Sequence, residues 1–413
     1  MFYGWKIGIL SMGSNLMLQG SAIYCMNAFM EPLCLQNGWS RMGINFSLGL
    51  AALMGQISMP LAAAIAERAS LRLLMAAGAL AGGLATCGMG LTDNITLFTI
   101  FLIIVWVASQ FCGGVVANAL MSNWFSHFRG LAFGLANAGT SLSGLVLPAC
   151  CLLLIEKYSL TSAFLIMGAI TCLLCPLSWL IVRRTPQSMH LHPDGRKHEP
   201  RKSRQQTEVP ASSRLFREPE IWLIGLSFGF ALMSASGIIS QLKPRFSDAG
   251  LDSWTGILLA SLSAGMATVA KFVWGWLCDK LRPVLAARLL MLFCFCSMLL
   301  LLLPPKMWNM SAFALCFTAS TGGLWVVLPA VTAFYFGSSH FLSAYKLISI
   351  FIFIRCAGFP IMGVSQEIVG SYFMADIIFC IILFVSFVLT LALKSNKAAE
   401  LARHHHTIKK TRT

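Results

Sequence analysis

The chain has 413 residues, of which 57% are hydrophobic and 11% charged, and its mean hydropathy is +0.76. A soluble protein of this size needs far more surface charge, so a water-soluble enzyme or binding module is excluded. The net charge of +15 does not imply nucleic acid, because no basic stretch has a folded soluble module around it.

The apolar residues come in blocks of about 20, enough helix to cross a hydrocarbon core of ~30 Å. They predict twelve spans: 6–30, 43–65, 71–91, 95–118, 130–153, 161–182, 219–241, 253–276, 286–303, 309–332, 343–366 and 372–393. Lipid offers no partner for loose backbone groups, so each span is expected to be a helix. Span 1 lacks a small-residue cleavage pattern after it and reads as a retained helix rather than a signal peptide. It carries Asn15, Gln19, Tyr24 and Asn27, polar or aromatic candidates for lining a cavity; gluing helices together is an equal role for each.

Span 2 ends in Glu67 and Arg68, with Arg72 close behind. Span 4 contributes Trp106 and Asn118. Gly82–Gly83 and Gly113–Gly114 lie inside spans, where no helix start is expected that could cradle a phosphate. Span 5 carries Asn137 and three glycines, Gly134, Gly139 and Gly144, at a spacing suited to close helix packing.

Residues 183–217 are polar, basic and rich in Pro and Ser, and read as a flexible linker between a six-helix half, 1–182, and a second, 218–394. The halves repeat one plan. Asp279 lies 212 residues after Glu67, and Pro360 lies 212 after Pro148. AAAIAER (62–68) faces WGWLCDK (274–280), each an acid followed by a base at the end of the second helix of its half. Parallel six-helix repeats with substrate between them are a transporter architecture.

Lysine and arginine fix a sidedness. They crowd Lys6, Arg68, Arg72, Arg129, the linker, Lys280, Arg282, Arg288, Lys346 and the tail 395–413 with Lys394 beside it. The opposite loops hold Arg41, Lys157, Lys243, Arg245 and Lys306. The positive-inside rule then places both termini in the cytoplasm, in the cell (inner) membrane. The excess charge also suits an inner face held against anionic lipid.

Span 7 ends at Gln241, and span 8 carries Lys271. Lys271 lies eight residues before Asp279, so about 12 Å in from the cytoplasmic end. Arg355 in span 11 lies nine residues after Lys346, about 13.5 Å in from the same face. Half the core is about 15 Å, so both cations sit near the midplane. No Asp or Glu lies at that depth, the nearest being Glu31, Glu367 and Asp376 toward the outer side. A cation at a helix centre costs about 2.5–3.5 kcal/mol. The missing partner is expected to be an anionic ligand, a carboxylate gripped by the Arg fork and the Lys point charge. The competing reading gives each cation helix carbonyls, a watery cavity or an outer acid. Trp325 and Tyr345 are aromatic candidates for the same cavity.

Five motifs carry a resemblance over the whole chain: FYGWKIG (2–8), NGWSRMGINFSL (37–48), NWFSHFRGLAFGLANAGTSLSG (123–144), KFVWGWLCDK (271–280) and LPAVTAFYFG (328–337). The chain resembles the major facilitator superfamily, and within it the oxalate/formate antiporter and monocarboxylate transporter families. The resemblance implies an all-α integral membrane fold of twelve helices in two six-helix pseudo-repeats. It implies substrate-gripping cations on helices 8 and 11. Lys271 falls at the helix 8 position where the family usually has Arg. The family's helix 11 lysine would fall near Ile352, a turn before Arg355. The exchanged pair favours an anion without specifying oxalate. Monocarboxylate transporters carry an aspartate where Ala267 stands and a lysine in helix 1, where this chain has only Lys6 at the start of the span. Exchange or uniport of a small carboxylate is therefore expected, with proton-coupled monocarboxylate symport and a non-transporting anion sensor as the rivals. Sugar-phosphate antiporters use arginines in helices 1 and 7, and spans 1 and 7 have none.

The resemblance also supports a latch on the cytoplasmic face by Glu67, Arg68, Asp279 and Lys280, against the plainer reading of a solvated charged turn. The 14 cysteines lie mainly in spans as small apolar residues, with no metal or disulfide expected. His404–His406 read as part of a disordered basic tail. No Walker A, G-x-S-x-G or H-E-x-x-H stretch is present, so gradients rather than ATP supply the energy, with no cofactor and no enzymatic role. Lipid and a small carboxylate are the expected partners, and a monomer suffices.

Overall fold

The computed structural model describes residues 2–195, 215–241, 245, 253–303 and 307–394. The side chain of Asn27, residues 196–214 of the linker, Lys243, Lys306 and the tail 395–413 with its three histidines lie outside the described residues. Among the described residues all regular structure is helical, as the backbone argument requires in lipid.

The helices follow the predicted spans and overrun several of them by a turn or more. They are α1 (residues 3–37), α2 (Arg41–Arg68), α3 (Leu71–Gly90), α4 (Ile95–Trp124), α5 (Arg129–Lys157) and α6 (Leu160–Ile181). Then come α7 (Pro219–Ser240), α8 (Ser253–Leu281), α9 (Pro283–Leu299), α10 (residues 307–336), α11 (residues 338–369) and α12 (Phe373–Leu391). α10 and α11 run on through Gly337, whose φ of 67° and ψ of 177° fold the chain back on itself. Only glycine takes that backbone without strain. Ser40 and Asn94 cap α2 and α4 with side-chain oxygens on first-turn N–H groups.

Three helices are irregular near their middles. α1 holds two π segments, Asn15–Gln19 and Ser21–Cys25, on either side of Gly20. Any side chain at Gly20 would run into Ser143 of α5, so the widened turns bring α1 against α5 at that point. α4 breaks at Gly113, where the backbone leaves helical geometry and restarts at Gly114. The expectation of an unbroken span there is corrected: Asn15 Oδ1 accepts the freed Gly114 N–H at 3.0 Å, and Asn15 Nδ2 donates to the Ala136 carbonyl at 2.7 Å. α11 tightens into a 3-10 segment, Phe353–Ala357, just before Pro360. Proline has no N–H and its ring clashes with the carbonyl four residues back, which is Cys356 inside that segment.

α1–α6 pack chiefly on one another, as do α7–α12, and the two sets meet along α5 with α8 and α2 with α11. The span 5 glycines pack as their spacing suggests. A Cβ on Gly134 would lie 2.6 Å from the Lys271 carbonyl, one on Gly139 would strike the Met12 carbonyl, and one on Gly144 would touch the Tyr24 ring at 3.0 Å.

The start of the linker is folded rather than free. Residues 186–195 form two short 3-10 turns, Pro186–Met189 and Pro193–Gly195. Asp194 accepts hydrogen bonds from the Ser126 N–H at 3.0 Å, the Ser126 hydroxyl at 2.6 Å and the His127 N–H at 2.7 Å, just ahead of α5.

Candidate functional site

Two clusters of polar side chains occupy the middle of the bundle. The first starts at Lys271 on α8, which is 2% exposed. Its Nζ donates to the Asn137 carbonyl on α5 at 2.6 Å and to the Thr140 hydroxyl. Asn137 Nδ2 donates to Asn118 Oδ1 on α4 at 2.9 Å, and Asn118 Nδ2 to the Tyr345 hydroxyl on α11 at 3.4 Å. Tyr345 is buried and stacks on Phe341 with ring centroids 5.1 Å apart. The chain of contacts leaves the second half at α8, passes through α5 and α4 of the first, and returns to the second at α11.

The second cluster is built on the 3-10 segment of α11. Arg355 is half-buried. Its Nε donates to the Ser236 hydroxyl on α7 at 3.1 Å, and its guanidinium lies 5.6 Å from the centre of the Trp325 ring on α10. No hydrogen bond joins this cluster to the first among the described residues. Neither Lys271 nor Arg355 is ion-paired there; the ion pairs described are Arg245–Asp376 and Lys346–Glu67.

Gln19 and Tyr24 sit elsewhere along α1. Gln19 lies by the α4 break: a Cβ on Gly114 would be 3.4 Å from its Nε2 and 2.6 Å from Gln110 Oε1. Tyr24 rests on Gly144. The structure thus joins Lys271 with Tyr345 and Arg355 with Trp325, and leaves Gln19 and Tyr24 on the α1 side. Asn15, a cavity candidate in the sequence, spends both ends of its amide on backbone.

At the linker face, Glu67 and Asp279 each reach across to the other half, but not to the bases beside them. Glu67 Oε1 accepts from Lys346 Nζ of α11 at 3.1 Å. Asp279 accepts the N–H of Gly130 at 2.6 Å and of Leu131 at 2.8 Å, at the start of α5. First-turn N–H groups have no partner within their own helix, and the positive end of the helix favours a carboxylate. Arg68 and Lys280 are exposed, Lys280 with its ammonium 4.6 Å over the Trp276 ring. Arg129 adds a third crossing, donating from Nε to the Phe125 carbonyl at 2.9 Å and from a terminal nitrogen to the Ala333 carbonyl of α10 at 3.3 Å. Sequence reasoning missed Arg129, Lys346 and Asp194 as contacts. The sequence placed Arg129 and Ala333 in two of the five motifs, and nothing in their spacing signalled that those motifs meet.

On the opposite face, Arg245 grips Asp376 at the start of α12 with both terminal nitrogens, one at 2.9 Å. The same guanidinium lies 4.7 Å over the Tyr372 ring. Among the described residues no group of three His, Cys, Asp or Glu side chains is placed to hold a metal.

The sequence matches the Major Facilitator Superfamily over residues 12–336. The chain belongs to that superfamily. Its relatives include Monocarboxylate transporter 11 of Homo sapiens, 28% identical over 236 residues, which are 56% of this chain and 47% of the relative. Monocarboxylate transporter 12 of Mus musculus is 24% identical over 286 residues, 62% of this chain and 58% of the relative. The chain spans about half the length of these curated relatives. Superfamily structures match nearly end to end. The human organic anion transporter MFSD10 (TETRAN) aligns with a TM-score of 0.72 at 12% identity, covering 94% of this chain and 100% of that one. The transporter FucP in its outward conformation aligns at 0.71 and 15% identity, covering 94% and 98%. At such identities these likenesses show the superfamily fold alone: twelve helices of an integral membrane protein.

Proposed function

We propose that the chain is a secondary transporter of small organic anions, mono- or dicarboxylates, working by alternating access and by exchange or uniport. The observation that carries this is the pair of cations inside the bundle, Lys271 and Arg355, neither ion-paired with a carboxylate among the described residues. A cation without a counter-charge in a membrane bundle is costly, even when hydrogen-bonded, and tends to mark a substrate path. Arg355 has a planar fork only partly engaged by Ser236, with Trp325 beneath it. Such a fork suits one carboxylate face-on. Lys271 provides the second positive group. Among the curated relatives, two are named monocarboxylate transporters, which agrees with an anionic substrate. Ala267, where the resemblance to the monocarboxylate transporter family implies an aspartate, favours exchange over proton symport. In this reading the linker face is cytoplasmic, Glu67 and Asp279 hold it closed, and the protein sits in the cell membrane as a monomer.

Counterflow in proteoliposomes tests it. Vesicles preloaded with formate, oxalate, pyruvate or succinate take up the labelled anion. A hydrogen bond to a charged group is worth about 1.5–3 kcal/mol, so Lys271→Gln and Arg355→Gln each lose ten- to hundredfold in flux. Flux that survives both changes would make the cations structural. Anion binding with no flux would favour the sensor.

A further inference from the structure

α5 and α8 meet in successive steps that climb from the linker face to the middle of the bundle. At the first, Asp279 takes the N–H groups of Gly130 and Leu131. At the second, Gly275 and Gly130 touch backbone to backbone, so that a Cβ on Gly275 would lie 2.5 Å from the Gly130 carbonyl. At the third, Gly134 lies under the Lys271 carbonyl. At the last, the Lys271 ammonium crosses to Asn137 and Thr140. The Thr140 hydroxyl donates to the Asn137 carbonyl at 2.8 Å, which leaves its lone pairs free for the ammonium. Residues 279, 275 and 271 fall four apart on one face of α8 and meet residues 130, 134 and 137–140 on α5, the helices running antiparallel.

Arg355 differs in one respect. Its hydrogen bond to Ser236 stays within the second half, whereas the bonds of Lys271 join the two halves. We propose that Thr140, with the Asn137 carbonyl, is a positioning residue that holds Lys271 across the α5–α8 interface, and that a carboxylate takes Lys271 over from them and so loosens the linker face. The displacement rests on the anion reading above; the tether itself does not. Arg355 is then the fixed grip on the anion and Lys271 the movable one. Lys271 is 2% exposed, so a ligand reaches its ammonium only as the helices part. The exchange is favourable in direction, because an ammonium bonds a carboxylate more strongly than a hydroxyl and a carbonyl.

The amides of Gly130 and Leu131 report the interface directly, because Asp279 and not their own helix protects them. Hydrogen–deuterium exchange on the purified full chain in nanodiscs would follow them in wild type, Thr140→Val and Thr140→Ser. Loss of a hydrogen bond to a charged group predicts about tenfold faster exchange in Thr140→Val. Thr140→Ser, which keeps the hydroxyl, exchanges as wild type. In counterflow Thr140→Val lowers KM for the anion severalfold, since a competitor for Lys271 is gone. Oxalate or pyruvate added to wild type speeds the same amides, and does so less in Thr140→Val. Unchanged exchange in Thr140→Val, or equal acceleration in Thr140→Ser, overturns the tether. Acceleration by Thr140→Val with no response to any carboxylate overturns the displacement. Carboxylate counterflow that persists in that case keeps the transport reading, and its absence removes both.

Discussion

Arg245 and Asp376 show how differently buried charges can be provided for. Their carboxylate and guanidinium meet two to two, with the Tyr372 ring against the cation and the Met362 sulfur 3.9 Å away. Nothing in the sequence points to the pair, since Arg245 reads as an outer-loop base and Asp376 as an acid at a span end, 131 positions apart. Lys271 was the opposite case: its depth could be counted from Asp279, while its partners, a backbone carbonyl and a hydroxyl on another helix, leave no mark in composition or spacing. Breaking a buried pair strands one charge and costs about 3–5 kcal/mol, whereas an apolar pair of similar volume often costs nothing. Arg245→Met and Asp376→Leu are each expected to lower the unfolding temperature in detergent sharply, and the double variant to recover most of the loss. If the double variant is as unstable as the singles, the site has a role beyond mutual neutralisation.

At the scale of the element, interruptions matter more than helix lengths. Pro360 lies just after the 3-10 segment of α11, and a proline in a span removes a bond and crowds the carbonyl before it, yet its repeat mate Pro148 leaves α5 unbroken. The π segments of α1 and the break of α4 carry no proline and answer instead to contacts with other helices, which periodicity cannot see. π-bulges and mid-helix 3-10 turns are frequent at functional positions, and here they place Gln19 beside the α4 break and Arg355 over Trp325. Asn15 is the side chain that holds one interruption in place. Asn15→Ala would leave the Gly114 N–H without a partner, at about 1–3 kcal/mol for a buried group so orphaned, while the Ala136 carbonyl keeps the bond of its own helix. Thermal unfolding should detect that loss, and Asn15→Asp should recover only the acceptor side. A variant as stable as wild type would mean that α4 opens at Gly113 for another reason.

Across the whole molecule, the two acids that sequence comparison of the halves picked out do equivalent work from opposite sides. Glu67 reaches from the first half to Lys346 in the second, and Asp279 from the second half to the start of α5 in the first. The repeat was legible because both acids fall at one offset. Their partners were not, since one is a base that looked like a simple end-of-span charge and the other is backbone. The two crossings should differ in strength. Glu67 and Lys346 are each about a fifth exposed, which puts the pair in the range of surface ion pairs, 0 to about 1 kcal/mol. Asp279 holds two otherwise unpartnered amides, a charge-assisted contact of about 1.5–3 kcal/mol. Asp279→Asn is therefore expected to open the linker face more than Glu67→Gln does, read as proteolysis or as solvent labelling near residues 126–131. Swapping the charges, Glu67→Lys with Lys346→Glu, should restore the weaker crossing. No swap can restore the stronger one, because a helix N-terminus cannot exchange its sign. Equal effects of the two single changes would mean that the halves are held together elsewhere, with Arg129 and the Ala333 carbonyl the next contact to remove.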